Sequence, residues 1–580
     1  MTTQDSYWTR RLQSGRVSRR RFVGGAAAAG VGAASLGLVG CGDDDSSSGG
    51  QATPRATASG SASVTAAKPK TGGTLTVPSM TDPATFDPYT NLSYNSQEFA
   101  GSIYSRLLKP KTGEGIAPAE LVVAPDLALA HEIPGDGLTV TFKLRPDVKF
   151  HETAPVNGRA FTAEDAKFSF DRYLAMGQQR TAFAAVDRVE TPDASTLVFK
   201  LKTPSAAFLT YVTWGSYVWI MPKETIGANN RHAEGPPHIG TGPYIFDQYT
   251  PGTSASFKKN PSYFLPGQPY IDELRRIIVP DSSTIRANFR SGQIDTLNWN
   301  TAIGEPDIDS VRKANSKATY VEFPSFSLES FYFGEKLSEP PFNDPRVRQA
   351  ISMAIDRDAL LQVSANGKGE WSTMFPAKFS PWWLDPRGKE FGPNAKYFKY
   401  DVKAAKELMT GAGHASGLDV DLNVTFDYGA EAKERYELVA AMLKDVGIRV
   451  ALKSKEYAAY QSTTSLGKFT GLAYGPYAVY PDPDGFLATY WLSSSPRRKS
   501  IWVDPQLDAL ITKQSTTFDA EQRKQAVWDI QRHVAEKGYA PGGVNGTSYV
   551  AHQPWVKNYY HSIDYGAPSN SVVNAWIDRA

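Results

Sequence analysis

The chain has 580 residues, and its 62 Lys and Arg against 60 Asp and Glu leave a formal net charge of +2, too small a field to attract a nucleic-acid backbone. One cysteine excludes an internal disulfide, and 41% hydrophobic with 21% charged residues is the balance of a globular protein. Aromatic residues make up 12% of the chain, a supply of Tyr, Phe and Trp that suits ligand pockets as well as cores.

The N-terminal stretch SRRRFVGGAAAAGVGAASLGLVGC runs from Ser18 to Cys41. Arg19, Arg20 and Arg21 form a positive patch, and Phe22 to Gly40 carries no charge. A bilayer takes roughly 20 apolar residues, and a run this rich in Gly makes a poor permanent anchor but an adequate export signal. The paired arginines resemble a twin-arginine signal, and Leu38-Val39-Gly40-Cys41 resembles a bacterial lipobox, with Cys41 as the lipidated residue. The alternatives are an uncleaved membrane helix or a chance basic start. Residues 1–41 are therefore expected to be a lipoprotein signal. Residues 42–70 lack large apolar side chains and are expected to be a flexible tether.

Folded structure is expected from Gly73 to Val77, a short alternating strand. Asn95–Leu108 reads as a helix with Phe99, Ile103 and Leu107 on one face. Leu138–Leu144 alternates as a strand, Thr162 and Asp165 open a helix as a capping pair, and Ser195–Leu201 is another strand. Gly240 and Gly242 are expected to permit positive φ in a turn before the strand YIFDQY. Leu274–Val279 is a strand and Asp281–Ser291 a helix stopped by Gly292. Arg346–Leu361 has the pattern of one helix, capped by Asp344 with Pro345 at its first position. Its apolar stripe is Val347, Ala350, Ile351, Ala354 and Ile355, while Arg346, Arg348, Asp356 and Arg357 lie off the stripe and can pair. Helices follow at Val402–Thr410, Ala432–Val446 and Glu521–Glu536, with a strand at IRVALK. This irregular alternation argues for α/β layers in more than one lobe.

Several chemistries leave no trace. No GxxxxGK[ST] loop, GxGxxG turn, HExxH helix or GxSxG elbow occurs. His232 and His238 are six apart in a Pro- and Gly-rich loop, a poor spacing for a zinc site. No catalytic residue, metal site or cofactor is expected.

Five stretches together resemble the family 5 extracytoplasmic solute-binding proteins of peptide- and nickel-type ABC transporters. They are Asp126-Leu127-Ala128 with LTVTFKLRPDVKFHETAPVNGRAFTAEDAKFSF, Gly240 to Tyr244, Ser291 to Asp295, Pro341 to Arg357, and Ala404 to Gly413. One departure is Glu152-Thr153, where the family has Asp-Gly. The resemblance implies an α/β, two-lobed periplasmic-binding-protein type II fold with an additional α/β subdomain, closing on its ligand like a hinge. Lobe I would take residues 71–110, 231–320 and 546–580, the extra subdomain 111–230, and lobe II 321–545, with crossings near 320 and 545. The protein would be a monomer, held at the membrane by its N-terminal lipid in a periplasm or on an outer face. It would pass a small solute or short peptide to an ABC permease and its ATPase, without enzymatic activity.

The resemblance also places a ligand segment. In peptide binders of the family, an Asp a few residues before a DPD pairs with the peptide's α-amino group. Here DPD is Asp482-Pro483-Asp484 and the matching position is Val479, and both Val479 and Asp482 are expected among the ligand-binding residues of the cleft. No acid lies between Tyr474 and Tyr480, and a buried ammonium without a partner is costly. Tyr474, Tyr477 and Tyr480 instead offer faces and hydroxyls for an oligosaccharide, an aromatic solute or another less polar ligand. Further cleft candidates are Tyr94 and Asn95 after the first strand, Trp299 near a lobe crossing, and Trp371, Phe375, Trp382 and Trp383 after the strong helix; each reads equally well as core. A surface sensor or chaperone-like binder on the same scaffold is the competing reading, and a tethered hydrolase lacks a candidate nucleophile.

Overall fold

The computed structural model describes residues 68–227, 238–324, 327–335, 337–377, 381–428, 430–478, 480, 482–495, 497–500 and 502–579. Cys41, the N-terminal signal, most of the tether and Val479 lie outside the described residues.

Alternating sequence becomes sheet wherever one face can be buried. Thr74–Ser79 points Leu75 and Val77 into the core and pairs in parallel with Glu273–Ile278. Ser254–Lys259 and Tyr244–Thr250 complete this four-stranded sheet. Thr139–Leu144 buries Val140, Phe142 and Leu144 and joins Ala128–Glu132, Thr196–Leu201 and Val186–Asp193 in a wholly antiparallel sheet. A third sheet contains Ser327–Tyr332, Leu472–Ala478, Leu418–Val424 and Ile448–Ser454, the last two in parallel. Two extended segments run antiparallel between the first and third sheets. Thr319–Pro324 pairs with the long strand Val544–His552, and the start of that strand pairs with Gly369–Trp371. Beside it, the N–H of Gly543 donates to the carbonyl of Glu329 at 3.0 Å.

Caps fix the helices. The first helix is Tyr94–Ile103, shorter than its periodicity suggested, and Ser93 caps it. Asp165 accepts from the N–H of Thr162 at 3.0 Å, opening Ala163–Met176. Asp344 accepts from the N–H of Arg346 at 2.8 Å, with Pro345 at the first position.

Two expectations change. The segment Arg346–Leu361 forms two helices, Pro345–Ala354, which carries the apolar stripe from Val347 to Ala354, and Arg357–Ala365. Asp356 interrupts it by capping the second, accepting from the N–H of Ala359 at 2.9 Å. Arg346 pairs with Asp344, but Arg348 and Arg357 are buried and donate to carbonyls, Arg357 to Phe398 at 2.7 Å and Gly542 at 3.0 Å. Burial lowers the Arg357 guanidinium to about 10. Gly240 and Gly242 are not among the positive-φ residues. Their role is close approach: a Cβ at either would run into the backbone of Ile103, whose carbonyl accepts from the N–H of Gly242 at 2.8 Å.

Candidate functional site

The N-terminus of helix Tyr94–Ile103 and the loop after strand Leu472–Ala478 bring aromatic rings together from distant parts of the chain. Tyr94 lies 4.2 Å from Trp299 and 5.9 Å from Tyr565, centroid to centroid, and Trp299 lies 5.5 Å from Tyr565. Trp214 adds a fourth ring, 6.3 Å from Tyr565. The Tyr94 hydroxyl donates to Glu98, and Glu98 is also paired with the buried guanidinium of Arg276. Asn95 is held by Ser79, which donates to its Oδ1 at 2.9 Å, and by donation to Thr81 at 2.6 Å.

Tyr480 lies near Tyr565 of this group. Its ring is 6.2 Å from that of Tyr490, and its hydroxyl accepts from Gln179 Nε2 at 2.7 Å. Gln179 Oε1 in turn accepts from Ser216 at 3.1 Å. Burial lifts the Tyr565 hydroxyl, and the nearby Tyr480 adds to the rise. Tyr94, Trp299 and Tyr480 are thus the sequence candidates that the fold gathers. Tyr565, Tyr490, Trp214 and Gln179 were not visible as partners because they lie far apart in the chain.

The other candidates serve packing. Tyr474 and Tyr477 are 1% and 2% exposed and point to opposite faces of their strand. Tyr474 lies 4.8 Å from Phe331, and Tyr477 lies 5.0 Å from both Tyr332 and Tyr490. Trp371, Phe375 and Trp382 each have their own packing partners. Trp371 donates to Asp358 at 2.8 Å beside the separate core of Leu384, Phe391 and Phe398. Phe375 packs on Phe486, and Trp382 lies under the guanidinium of Arg523. Trp383 is half-buried against the main core.

Asp482 is also scaffold. It caps helix Pro483–Tyr490, accepting from the N–H of Asp484 at 2.8 Å. Both of its carboxylate oxygens are bonded to Arg523, at 2.6 and 2.9 Å. Asp484 accepts from Tyr211 and Gln514, and burial, then Asp482, raises its pKa. Neither acid is open to a ligand ammonium. Among the described residues, no group of three or more His, Cys, Asp or Glu is placed to hold a metal ion, and no helix is long and apolar enough to cross a membrane.

The mixed α/β layers and the buried group of aromatic side chains fit the two-lobed fold of a solute-binding protein. The sequence model of the bacterial extracellular solute-binding proteins, family 5 (middle part), matches residues 122–497, and the chain belongs to that family. It is 27% identical over 485 residues to di/tripeptide-binding protein 3 of Pseudomonas aeruginosa, covering 78% of this chain and 86% of the relative. It is 26% identical over 559 residues to heme-binding protein A of Haemophilus influenzae, covering 91% and 95%. Among solved structures it resembles the periplasmic binding protein AgaA from A. tumefacien R10 in complex with agropinic acid, with a TM-score of 0.73, 23% identity, and coverage of 88% of this chain and 99% of that one.

Proposed function

We propose that this protein is exported through its twin-arginine-like signal, anchored by lipid on Cys41, and captures a solute between its lobes for an ABC permease. Lobe I would be residues 71–110, 231–320 and 546–580, the extra subdomain 111–230, and lobe II 321–545. Tyr94, Trp299 and Tyr565 would contact the solute from one side and Tyr480 and Tyr490 from the other. Closure over the solute would supply affinity by burying it between these rings.

The observation that carries the solute class is the absence of a free acid in the segment that supplies one in the family's peptide binders. No acid lies between Tyr474 and Tyr480, and Asp482 and Asp484 are both committed to protein partners. An α-ammonium would be buried there without a counter-charge. The solute is therefore a sugar-like or aromatic molecule rather than a peptide with a free amino terminus.

Native mass spectrometry of the full chain, purified without denaturation, tests this. A co-purified sugar or aromatic solute is expected, lost or weakened in Tyr480→Ala. A mixture of short peptides would overturn the solute class while leaving capture intact. Co-purification with a receptor instead of a permease would overturn delivery.

A further inference from the structure

Behind Tyr490 the chain carries three cations in a row, Arg497, Arg498 and Lys499. Such a run ordinarily faces water, yet Lys499 is only 5% exposed. Its ammonium lies 4.5 Å from the ring centre of Tyr332, 4.7 Å from that of Tyr477 and 5.7 Å from that of Tyr490. It donates to the Tyr332 hydroxyl at 3.1 Å and to the carbonyl of Pro476. Among the described residues, no carboxylate pairs with Lys499 or with the half-buried Arg497. The acids nearby in sequence or across the sheet are engaged elsewhere: Glu329 with Arg435, Asp482 with Arg523, and Asp504 with His533. Arg498 donates to the carbonyl of Trp502 at 2.8 Å, while its Nε is buried without a partner.

A buried lysine against a wall of tyrosine with no counter-charge, two residues from a half-buried arginine that also lacks one, is an incomplete electrostatic arrangement. Desolvation is expensive for a cation, and the low local dielectric strengthens the attraction for any anion that arrives. We propose that Lys499 and Arg497, next to Tyr490, form a subsite for an oxyanion, a carboxylate or phosphate carried by the solute. This rests on the reading of the Tyr480–Tyr490 face as part of the solute cleft, and deepens it: the solute is an anion. Lys499 supplies charge beneath the ring layer, and Arg497 supplies a planar fork of donors that matches an oxyanion. The tyrosines around Lys499 stay neutral, since burial raises the hydroxyls of Tyr332, Tyr477 and Tyr490 far above their ordinary range.

Burial, reinforced by Arg497, lowers the free Lys499 amine to about 7. A bound anion must raise it. The full chain, labelled with carbon-13 at lysine Cε, is titrated by NMR in the absence and presence of benzoate, phenyl phosphate or benzamide, with Lys499→Arg assigning the resonance. Each is a small fragment for which affinity of about 1 mM is reasonable. Benzoate or phenyl phosphate is expected to move the Lys499 midpoint up by about one unit or more, a tenfold linkage between proton and anion, while neutral benzamide leaves it in place. Whichever acid acts more strongly identifies the oxyanion. Lys499→Met and Arg497→Gln, each checked for an unchanged fold by circular dichroism, are expected to weaken that acid's binding at least about tenfold. An unmoved midpoint with both acids, or equal effects of acid and benzamide, overturns the anion subsite. If the wild type still co-purifies with a solute in that event, the cleft reading survives and only the subsite falls.

Discussion

Gln179 Nε2 donates to the hydroxyl of Tyr480 at 2.7 Å, joining side chains 301 residues apart in the sequence. One comes from the turn after helix Ala163–Met176, the other from the loop after strand Leu472–Ala478. The bond holds the Tyr480 ring beside that of Tyr490, 6.2 Å away. Tyr480→Phe keeps the ring but leaves the Gln179 amide buried without its acceptor. The expected loss is about 1–2 kcal/mol of unfolding free energy, read from urea denaturation. An unchanged midpoint would mean that water replaces Tyr480 at no cost.

The Asp482–Arg523 pair makes a sharper prediction. Both side chains are under 10% exposed, and Arg523 also lies over Trp382. Arg523→Met leaves a buried carboxylate without its counter-charge and is expected to destabilise by about 3–5 kcal/mol. Adding Asp482→Asn should restore a large part of that loss. A double-mutant cycle with no coupling would remove Asp482 from the scaffold and return it to the list of solute contacts.

Lys499 predicts a stabilising substitution. Its folded pKa, about 7, is below the ordinary lysine value of 10.5, and burial is the first cause. Between those values the unfolded chain binds the extra proton, so stability rises with pH across the window and the charge is a liability below it. Lys499→Met is expected to raise the unfolding free energy at pH 7 by about 2–4 kcal/mol and to flatten its rise toward pH 10. A destabilised Lys499→Met protein would show that the ring contacts outweigh desolvation.

His151 sets a limit on the acid side. It is fully buried, with Nε2 3.1 Å from the carbonyl of Gly242 and Nδ1 facing the N–H of Gly240 at 3.4 Å. Burial lowers it to about 4, and the Gly242 contact only partly opposes this. The unfolded chain therefore takes up a proton that the folded one refuses as pH falls from about 6.5 to about 4, and stability declines through that window. His151→Gln, neutral throughout, should remove about 2–3 kcal/mol of the decline in acid-titrated thermal unfolding. A parallel pH profile in the variant would assign the acid sensitivity to the other buried pair, His552 and His561, whose nitrogens are 3.3 Å apart.

Local chemistry was written plainly in the sequence. Alternation announced the strands Thr139–Leu144 and Thr196–Leu201, and Asp344-Pro345 announced the helix start, because each depends on neighbours within a few residues. The same locality misled at Asp356, whose apolar flanks read as one helix until its side chain was seen capping a second. The family, too, was legible from short motifs, most of which are scaffold.

What only the tertiary structure decided was the fate of equivalent residue types. Tyr474, Tyr477 and Tyr480 look alike in the chain, yet the first two fill opposite faces of a buried strand and the third reaches Gln179. A run of cations such as Arg497, Arg498 and Lys499 ordinarily faces water, yet Lys499 is buried among rings. Asp482 looked available until Arg523, 41 residues further on, took both its oxygens. Periodicity and capping are short-range energies that a sequence displays directly. Desolvation and counter-charge depend on which distant side chains the fold brings within a few ångströms, and that is determined only when the chain closes on itself.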